Sequence, residues 1–276
     1  MTATAASLRV ALLQSAPRLG AVEANLAELD RRLRRVADAD LAVAPELATH
    51  GYHLGELDDP RALAATDPRI AGLGGHGPAA VVGFVEARRH HHYNSAAIVD
   101  GERVEVQRKL YLPTYRDWEE GKHFRPGTRL RRHAVRGARM SVLICNDLWQ
   151  PPLAWLAAHG GAEVLVVIAN SVESRAAVPV QRAWDILLVH AAVTLQTYVV
   201  FVNRSGVECG RRFWGGSCVV GPDGEALLRL GPDEDQAVVD LDLEALRALR
   251  RRWPLLRESR FELVAAEAAR LAAEEE

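Results

Sequence analysis

Apolar positions in this chain take turns between two patterns. Some form short unbroken runs rich in valine, leucine and isoleucine; others recur about every three or four residues over longer stretches. The first pattern predicts buried strands and the second amphipathic helices. Residues 8–14 read as a first strand, and 21–36 as a helix with Val22, Leu26, Leu29, Leu33 and Val36 on one face. A short strand at 41–44 is stopped by Pro45. Strands at 80–85, 95–99 and 104–110 follow as a meander, connected by 87–93 and by the turn Asp100-Gly101, which makes the sheet mixed. Further on, 142–144 is a strand, 153–159 a helix, 164–169 a strand closed by Asn170-Ser171, 179–197 a helix, 198–202 a strand and 203–206 a turn. Strands at 217–220 and 226–230 flank the turn Gly221-Pro222-Asp223-Gly224, and 237–241 is the last strand. Helices at 243–251 and 262–273 precede an acidic tail, Glu274 to Glu276, expected to fray. Strands alternating with helices place the chain in the α/β class. Residues 1–276 are expected to form one domain, with the helices at about 243–273 as a packing or dimer arm.

Composition narrows the partners. Hydrophobic residues make up 49% and charged residues 25%, with a formal net charge of −2, so no global field draws the chain to nucleic acid or to an anionic membrane. The longest apolar stretch, 186–202, contains His190, Thr194, Gln196 and Thr197 and reads as a helix running into a strand instead of a membrane span. Cys145, Cys209 and Cys218 form no disulfide framework, and residues 1–7 lack the features of a signal peptide. The expected location is the reducing cytoplasm. His90-His91-His92 falls in a connection, without the spacing of converging metal ligands, and is expected to be a solvated loop.

Three places invite chemistry. Cys145 ends the run Val142-Leu143-Ile144, and Asn146, Asp147, Pro151 and Pro152 then supply turn and helix-start residues. A thiol on a strand-to-helix turn can face a cleft with backbone N–H groups beside it; taken alone, it reads more readily as a small buried hydrophobe. Glu46 follows the strand at 41–44, where it either faces a ligand at the sheet edge or caps the next segment. Lys109 ends an apolar strand and is either snorkelling or held as a cation in a cleft. The following loop, 113–127, is dense in polar groups: Asp117, Glu119, Glu120, Lys122 and His123.

Together, A-P-E-L at 44–47, R-K-L-Y-L-P at 108–113 and L-I-C-N-D-L-W at 143–149 resemble the glutamate, lysine and cysteine motifs of the nitrilase superfamily, the carbon–nitrogen hydrolases. The resemblance continues through V-G-F-V-E at 82–86, Y-N-S-A at 93–96, N-R-S-G at 203–206 and F-W-G-G-S at 213–217, from Leu8 to about Phe261. It implies a four-layer α-β-β-α sandwich of two mixed sheets, paired into dimers. Glu46 would be the general base, Lys109 the cationic stabiliser and Cys145 the nucleophile. Glu120, four residues before Phe124, would position Lys109 or the substrate amide. The backbone N–H of Asn146 would hold an oxyanion, and Tyr115, Trp149 and Asn170 would contribute to substrate binding. The implied reaction needs no metal and no cofactor: amide hydrolysis through a cysteine thioester, releasing ammonia.

Departures narrow the substrate. Relatives that cleave N-carbamoyl amino acids carry two arginines where this chain has Leu148 and Trp149, although Arg175, Arg204, Arg211 or Arg212 could supply a cation. Nitrile-cleaving relatives have Trp-Glu after the cysteine, where Asn146-Asp147 stands here. The pieces at 48–57, 112–115 and 147–149 look closest to the glutaminase domain of NAD synthetases, and this chain is expected to act without an attached ATP-binding synthetase domain. Where many relatives have R-A-x-E-N, it has A-A-V-T-L at 191–195, which blurs the subfamily. A small-molecule amidase is the expected activity. The alternatives are a glutamine-hydrolysing ammonia donor for a separate synthetase and a catalytically silent binding protein on the same scaffold.

Overall fold

The structure is a computed structural model that describes residues 5–57, 61–115, 119–174 and 178–274. The elements run β1 (Ser7–Gln14), α1 (Val22–Arg35), β2 (Leu41–Val43), α2 (Pro68–Gly72), β3 (Ala79–Arg88), β4 (His91–Asp100), β5 (Arg103–Arg108) and α3 (Glu120–His123). They continue with β6 (His133–Val135), β7 (Ala138–Ile144), α4 (Pro151–His159), β8 (Val164–Ala169), α5 (Val180–Thr194), β9 (Tyr198–Asn203), β10 (Ser205–Glu208) and β11 (Arg211–Trp214). The chain then forms β12 (Cys218–Val220), β13 (Ala226–Arg229), β14 (Asp235–Asp242), α6 (Leu243–Arg252), α7 (Leu255–Glu258) and α8 (Phe261–Glu274).

Two six-stranded mixed sheets result, ordered β14-β1-β2-β3-β4-β5 and β13-β12-β9-β8-β7-β6. Leu8, Val10 and Leu12 of β1 point at the other sheet and meet Val142, Ile144, Val166, Ile168, Val200 and Val202. The alternate residues Ala11 and Leu13 pack on Leu26, Leu29 and Leu33 of α1. On the far side, Leu143, Leu165, Val167 and Phe201 pack on Ala157 of α4 and on Trp184 and Leu188 of α5. This is the four-layer α-β-β-α order. It explains why the central strands read as unbroken apolar runs: they are covered on both faces. Each fully buried aliphatic side chain contributes about 1.5–3 kcal/mol relative to exposure. Ile168 is fully buried between the sheets. Ile168→Ala should therefore cost about 2–5 kcal/mol in a denaturant titration; a midpoint unchanged from wild type would contradict this packing.

Several elements differ from the sequence reading, for physical reasons. β3 and β4 pair without a break from Ala80↔Val99 to Arg88↔His91, so His91 and His92 lie in a strand and not in a loop. The turn is as tight as Arg89 allows, at φ 54, and backbone pairing holds these arms despite their polar side chains. Residues 205–208 are likewise a strand, not part of a turn, because β10 pairs antiparallel with β11. The helix at 180 stops at Thr194, where Leu195 and a left-handed Gln196 (φ 46) turn the chain into β9. The short helices α2 and α3 had no apolar period to announce them. No helix among the described residues is long and apolar enough to cross a membrane. Parts of the sequence reading lie outside the described residues: Asp117 in the polar loop, Arg175 among the possible cations, and Glu275 and Glu276 in the acidic tail.

Candidate active site

The residues singled out in sequence converge because each follows the carboxyl end of a strand. Glu46 comes after β2, Lys109 after β5, Cys145 after β7 and Asn170 after β8. Gly83 on β3 is needed for this convergence. A Cβ there would stand 2.3 Å from the Leu47 nitrogen and 2.4 Å from the Pro45 oxygen, so only glycine lets the glutamate-bearing turn lie on the sheet.

Cys145 has φ 49, a left-handed conformation rare for a residue with a side chain and costing about 1–3 kcal/mol. Asp147 holds it there. One carboxylate oxygen accepts the Ile144 N–H at 3.0 Å, and the other accepts the N–H groups of Leu110 and Tyr111, both at 2.9 Å. The same carboxylate therefore ties the cysteine turn to the segment that carries Lys109. Burial pushes Asp147 up to about 6, against these three donors.

The charged groups are buried and share their bonds. Glu46 Oε1 accepts from Lys109 Nζ and from Asn94 Nδ2, each at 2.7 Å, while Oε2 accepts the Asn170 N–H at 2.8 Å. Lys109 Nζ also donates to Glu120 Oε1 at 2.7 Å, and the Tyr52 hydroxyl donates to that same oxygen at 2.8 Å. Lys109 is 1% exposed and Glu46 0%, so a single ammonium sits between two carboxylates with almost no solvent. Burial works against the lysine charge, but Glu120 and Glu46 outweigh it and hold Lys109 well above its ordinary range. Burial drives Glu120 up to about 7, helped by Glu46 and opposed by Lys109 and Tyr52. The Cys145 thiol is driven well above its usual range by burial and by Glu46, with Lys109 pulling the other way. A thiol raised in this way needs a neighbouring base to remove its proton before it can act as a nucleophile.

Beside the cluster lies a cavity of about 360 Å³, bordered by Cys145, Asn146, Tyr115, Trp149, Asn170 and Arg211 among others. Asn146, Tyr115, Trp149 and Asn170 all border this one cavity. The Asn146 side chain donates to the Tyr111 carbonyl at 3.2 Å, and among the described residues both polar atoms of the Asn170 side chain are buried without a hydrogen-bond partner. Leu148 corrects the sequence reading: it is 3% exposed and packs under α4 and α5, turned away from the cavity by the short helical turn at Cys145–Asp147. Trp149 does border the cavity, edge-on to Trp184 at 5.6 Å. Of the possible cations, Arg211 borders the cavity, Arg212 lines a neighbouring one, Arg204 is buried in an ion pair with Glu208, and Arg175 lies outside the described residues. Cys209 is exposed on the β10–β11 turn and Cys218 is buried in β12, both away from the cluster. Sequence reasoning missed Tyr52, Asn94 and Asp147 as members of the site. All three lie in the motif pieces at 48–57, 93–96 and 143–149, but only the fold shows what they bind.

Two packed mixed sheets with a thiol, an ammonium and paired carboxylates at their strand ends define the nitrilase-type class of hydrolase. The chain belongs to the carbon–nitrogen hydrolase family, whose profile, Carbon-nitrogen hydrolase, matches residues 9–251. It is 32% identical over 264 residues to an (R)-stereoselective amidase of Pseudomonas sp, covering 93% of both proteins. It is also 32% identical over 252 residues to the glutamine-dependent NAD(+) synthetase of Thermotoga maritima; that match covers 86% of this chain but only 42% of the synthetase. Among solved structures, a double mutant of the amidase from Nesterenkonia sp. AN1 in complex with acrylamide superposes with a TM-score of 0.80 at 25% identity, covering 96% of this chain and 99% of that one.

Proposed function

We propose that this carbon–nitrogen hydrolase is an amidase that converts a small, non-peptide carboxamide to the acid and ammonia through a thioester on Cys145. The observation that carries the reading is the buried Lys109 bridging Glu46 and Glu120 beside a thiol on a left-handed turn. Glu46 takes the Cys145 proton as Sγ bonds to the amide carbon, and charge gathers on the carbonyl oxygen. The Lys109 ammonium and the Asn146 N–H stabilise that oxyanion. Glu46 then gives its proton to the leaving nitrogen, the C–N bond breaks, and ammonia departs. In the second half Glu46 deprotonates water, which attacks the thioester; the acid leaves and the thiol is restored. Glu120 holds Lys109 in place. Similarity to a Pseudomonas amidase over nearly the whole of both chains supports the reading.

A second reading is favoured by the likeness to a glutamine-dependent synthetase: a subunit that hydrolyses glutamine and hands ammonia to a separate partner. Ammonia release from glutamine that rises sharply when a synthetase is added would select it. For the stand-alone enzyme we place the chain in the cytoplasm, where three free thiols persist. We further propose a homodimer that covers the exposed Phe261, Leu263, Val264 and Leu271 of α8; sedimentation would show a monomer if this is wrong.

The substrate test is kcat/KM for N-carbamoyl-alanine beside glutamine and butyramide. The cavity shows Trp149 where carbamoyl-cleaving relatives place an arginine, and an apolar ring cannot pair a carboxylate. N-carbamoyl-alanine should be the poorest of the three, by about tenfold or more. If it wins, another cation governs the pocket, Arg211 foremost.

A further inference from the structure

A buried ion cluster next to the site plays no part in the reaction as derived above. Glu208 closes β10 and reaches back to the segment that follows Gly51. Its Oε1 accepts the backbone N–H groups of Tyr52 and His53, both at 2.9 Å, and pairs with His53 Nδ1 at 2.8 Å. Its Oε2 forms an ion pair with Arg204 Nη1 at 2.9 Å. Arg204 is 2% exposed; it donates to the Pro17 carbonyl at 2.7 Å, and its guanidinium lies 4.3 Å from the centre of the Phe213 ring. Phe213 in turn meets the rings of Tyr52 and His53 edge-on, each at 6.3 Å. The approach is close enough that Gly51 (φ 84) cannot carry a side chain: a Cβ would stand 2.6 Å from Glu208 Oε2 and 2.8 Å from the Leu19 Cα.

All these contacts fix the main chain of Tyr52, and the Tyr52 hydroxyl ends 2.8 Å from the Glu120 oxygen that Lys109 also binds. We propose that Glu208 and Tyr52 are positioning residues of the hydrolase: Glu208 fixes the main chain that aims the Tyr52 hydroxyl at Glu120, and that hydroxyl favours the Glu120 anion that holds Lys109. The proposal rests on the reading of Cys145, Glu46 and Lys109 given above.

Glu120 has few donors to hold its charge. Among the described residues its Oε2 is buried without a hydrogen-bond partner, and the donors that support its charge meet at Oε1. With the hydroxyl gone, a buried carboxylate gains a proton more readily. A neutral Glu120 no longer attracts Lys109, whose ammonium then leans toward Glu46 and weakens it as a base. Among the described residues, the charged and titratable groups facing Glu120 are Lys109, Glu46, Cys145 and Tyr52 on the reacting side. His53, Glu56, Glu119 and His123 join it around a small cavity of about 180 Å³ on the other.

Tyr52→Phe keeps the ring and removes only the donor. Its turnover should fall about tenfold or more with KM within about twofold. The acid limb of the rate of Cys145 alkylation by iodoacetamide, followed by peptide mass mapping so that exposed Cys209 is counted apart, should move up by about one pH unit. Glu208→Gln should show the same two effects more weakly, and Tyr52→Phe with Glu208→Gln should be no worse than Tyr52→Phe alone. Wild-type turnover and an unmoved alkylation profile in Tyr52→Phe would overturn the proposal, whether or not Glu208→Gln folds. Multiplying effects in the double variant would overturn the link from Glu208 through Tyr52. A Cys145→Ala protein that still turns over substrate would sink the reaction itself; a dead Cys145→Ala beside a normal Tyr52→Phe would sink only the positioning.

Discussion

Cys145→Ala should reduce ammonia release to background while the protein stays folded and still binds its amide. No other group on the turn can form the covalent bond, and a site whose residues act as one unit loses nearly everything when the nucleophile goes. Folding should survive because alanine meets the same constraint at φ 49 as cysteine does, and the Asp147 bonds that shape the turn all go to backbone N–H groups. The melting temperature should shift by no more than about 4 °C. Cys145→Ser is expected to fare little better than Cys145→Ala. The thiol is already held protonated by burial and by Glu46, and a hydroxyl in the same place is harder still to deprotonate. Residual turnover above about a tenth of wild type in Cys145→Ala would rule out the thioester route. In intact protein, Glu46→Gln should slow iodoacetamide labelling of Cys145 around neutral pH, since the base that takes the proton is gone.

What could be read from the sequence follows what holds each piece in place. β7, β8 and β9 were legible because they are covered on both faces and must be apolar throughout. The outer arms of β3 and β4 and the β10–β11 hairpin were not, since backbone pairing and ion pairs hold them and leave their side chains polar. The same division runs through the site. Glu46 and Cys145 stood out because each follows an apolar run; Lys109 follows the mixed strand R-V-E-V-Q-R, and the family motifs singled it out with them. Tyr52 could not, because its place is set by Glu208, 156 residues further along the chain. Leu148 was misplaced for a local reason: two positions after Asn146 it would share that residue's face of an extended chain, but the tight turn at 145–147 rotates it into the core.

Lys109→Ala carries the second large effect, and there stability and chemistry must be told apart. The ammonium is the partner that Glu46 and Glu120 share, so its loss leaves two carboxylates buried together without a counter-charge. Removing one partner of a buried pair typically costs about 3–5 kcal/mol, and one carboxylate will bind a proton to limit the cost. Turnover should fall further than stability alone explains, because the charge that meets the developing oxyanion has gone, an effect of about 10²–10³ in kcat with KM little changed. Combining Lys109→Ala with Glu120→Gln separates the two. That double variant removes one of the stranded charges, so it should regain much of the lost stability in a urea titration, yet its kcat should stay as low as that of Lys109→Ala. If turnover returned with stability, Lys109 would serve only to hold the fold together. If Lys109→Ala raised KM alone, it would bind substrate without acting on the transition state. Glu46→Gln gives the complementary result. The amide oxygen can still accept from Lys109 and Asn94, but its NH2 group then faces the Asn170 N–H, donor against donor, and it cannot carry the proton from thiol to leaving nitrogen. Ammonia release should stop in that variant even where the fold is kept.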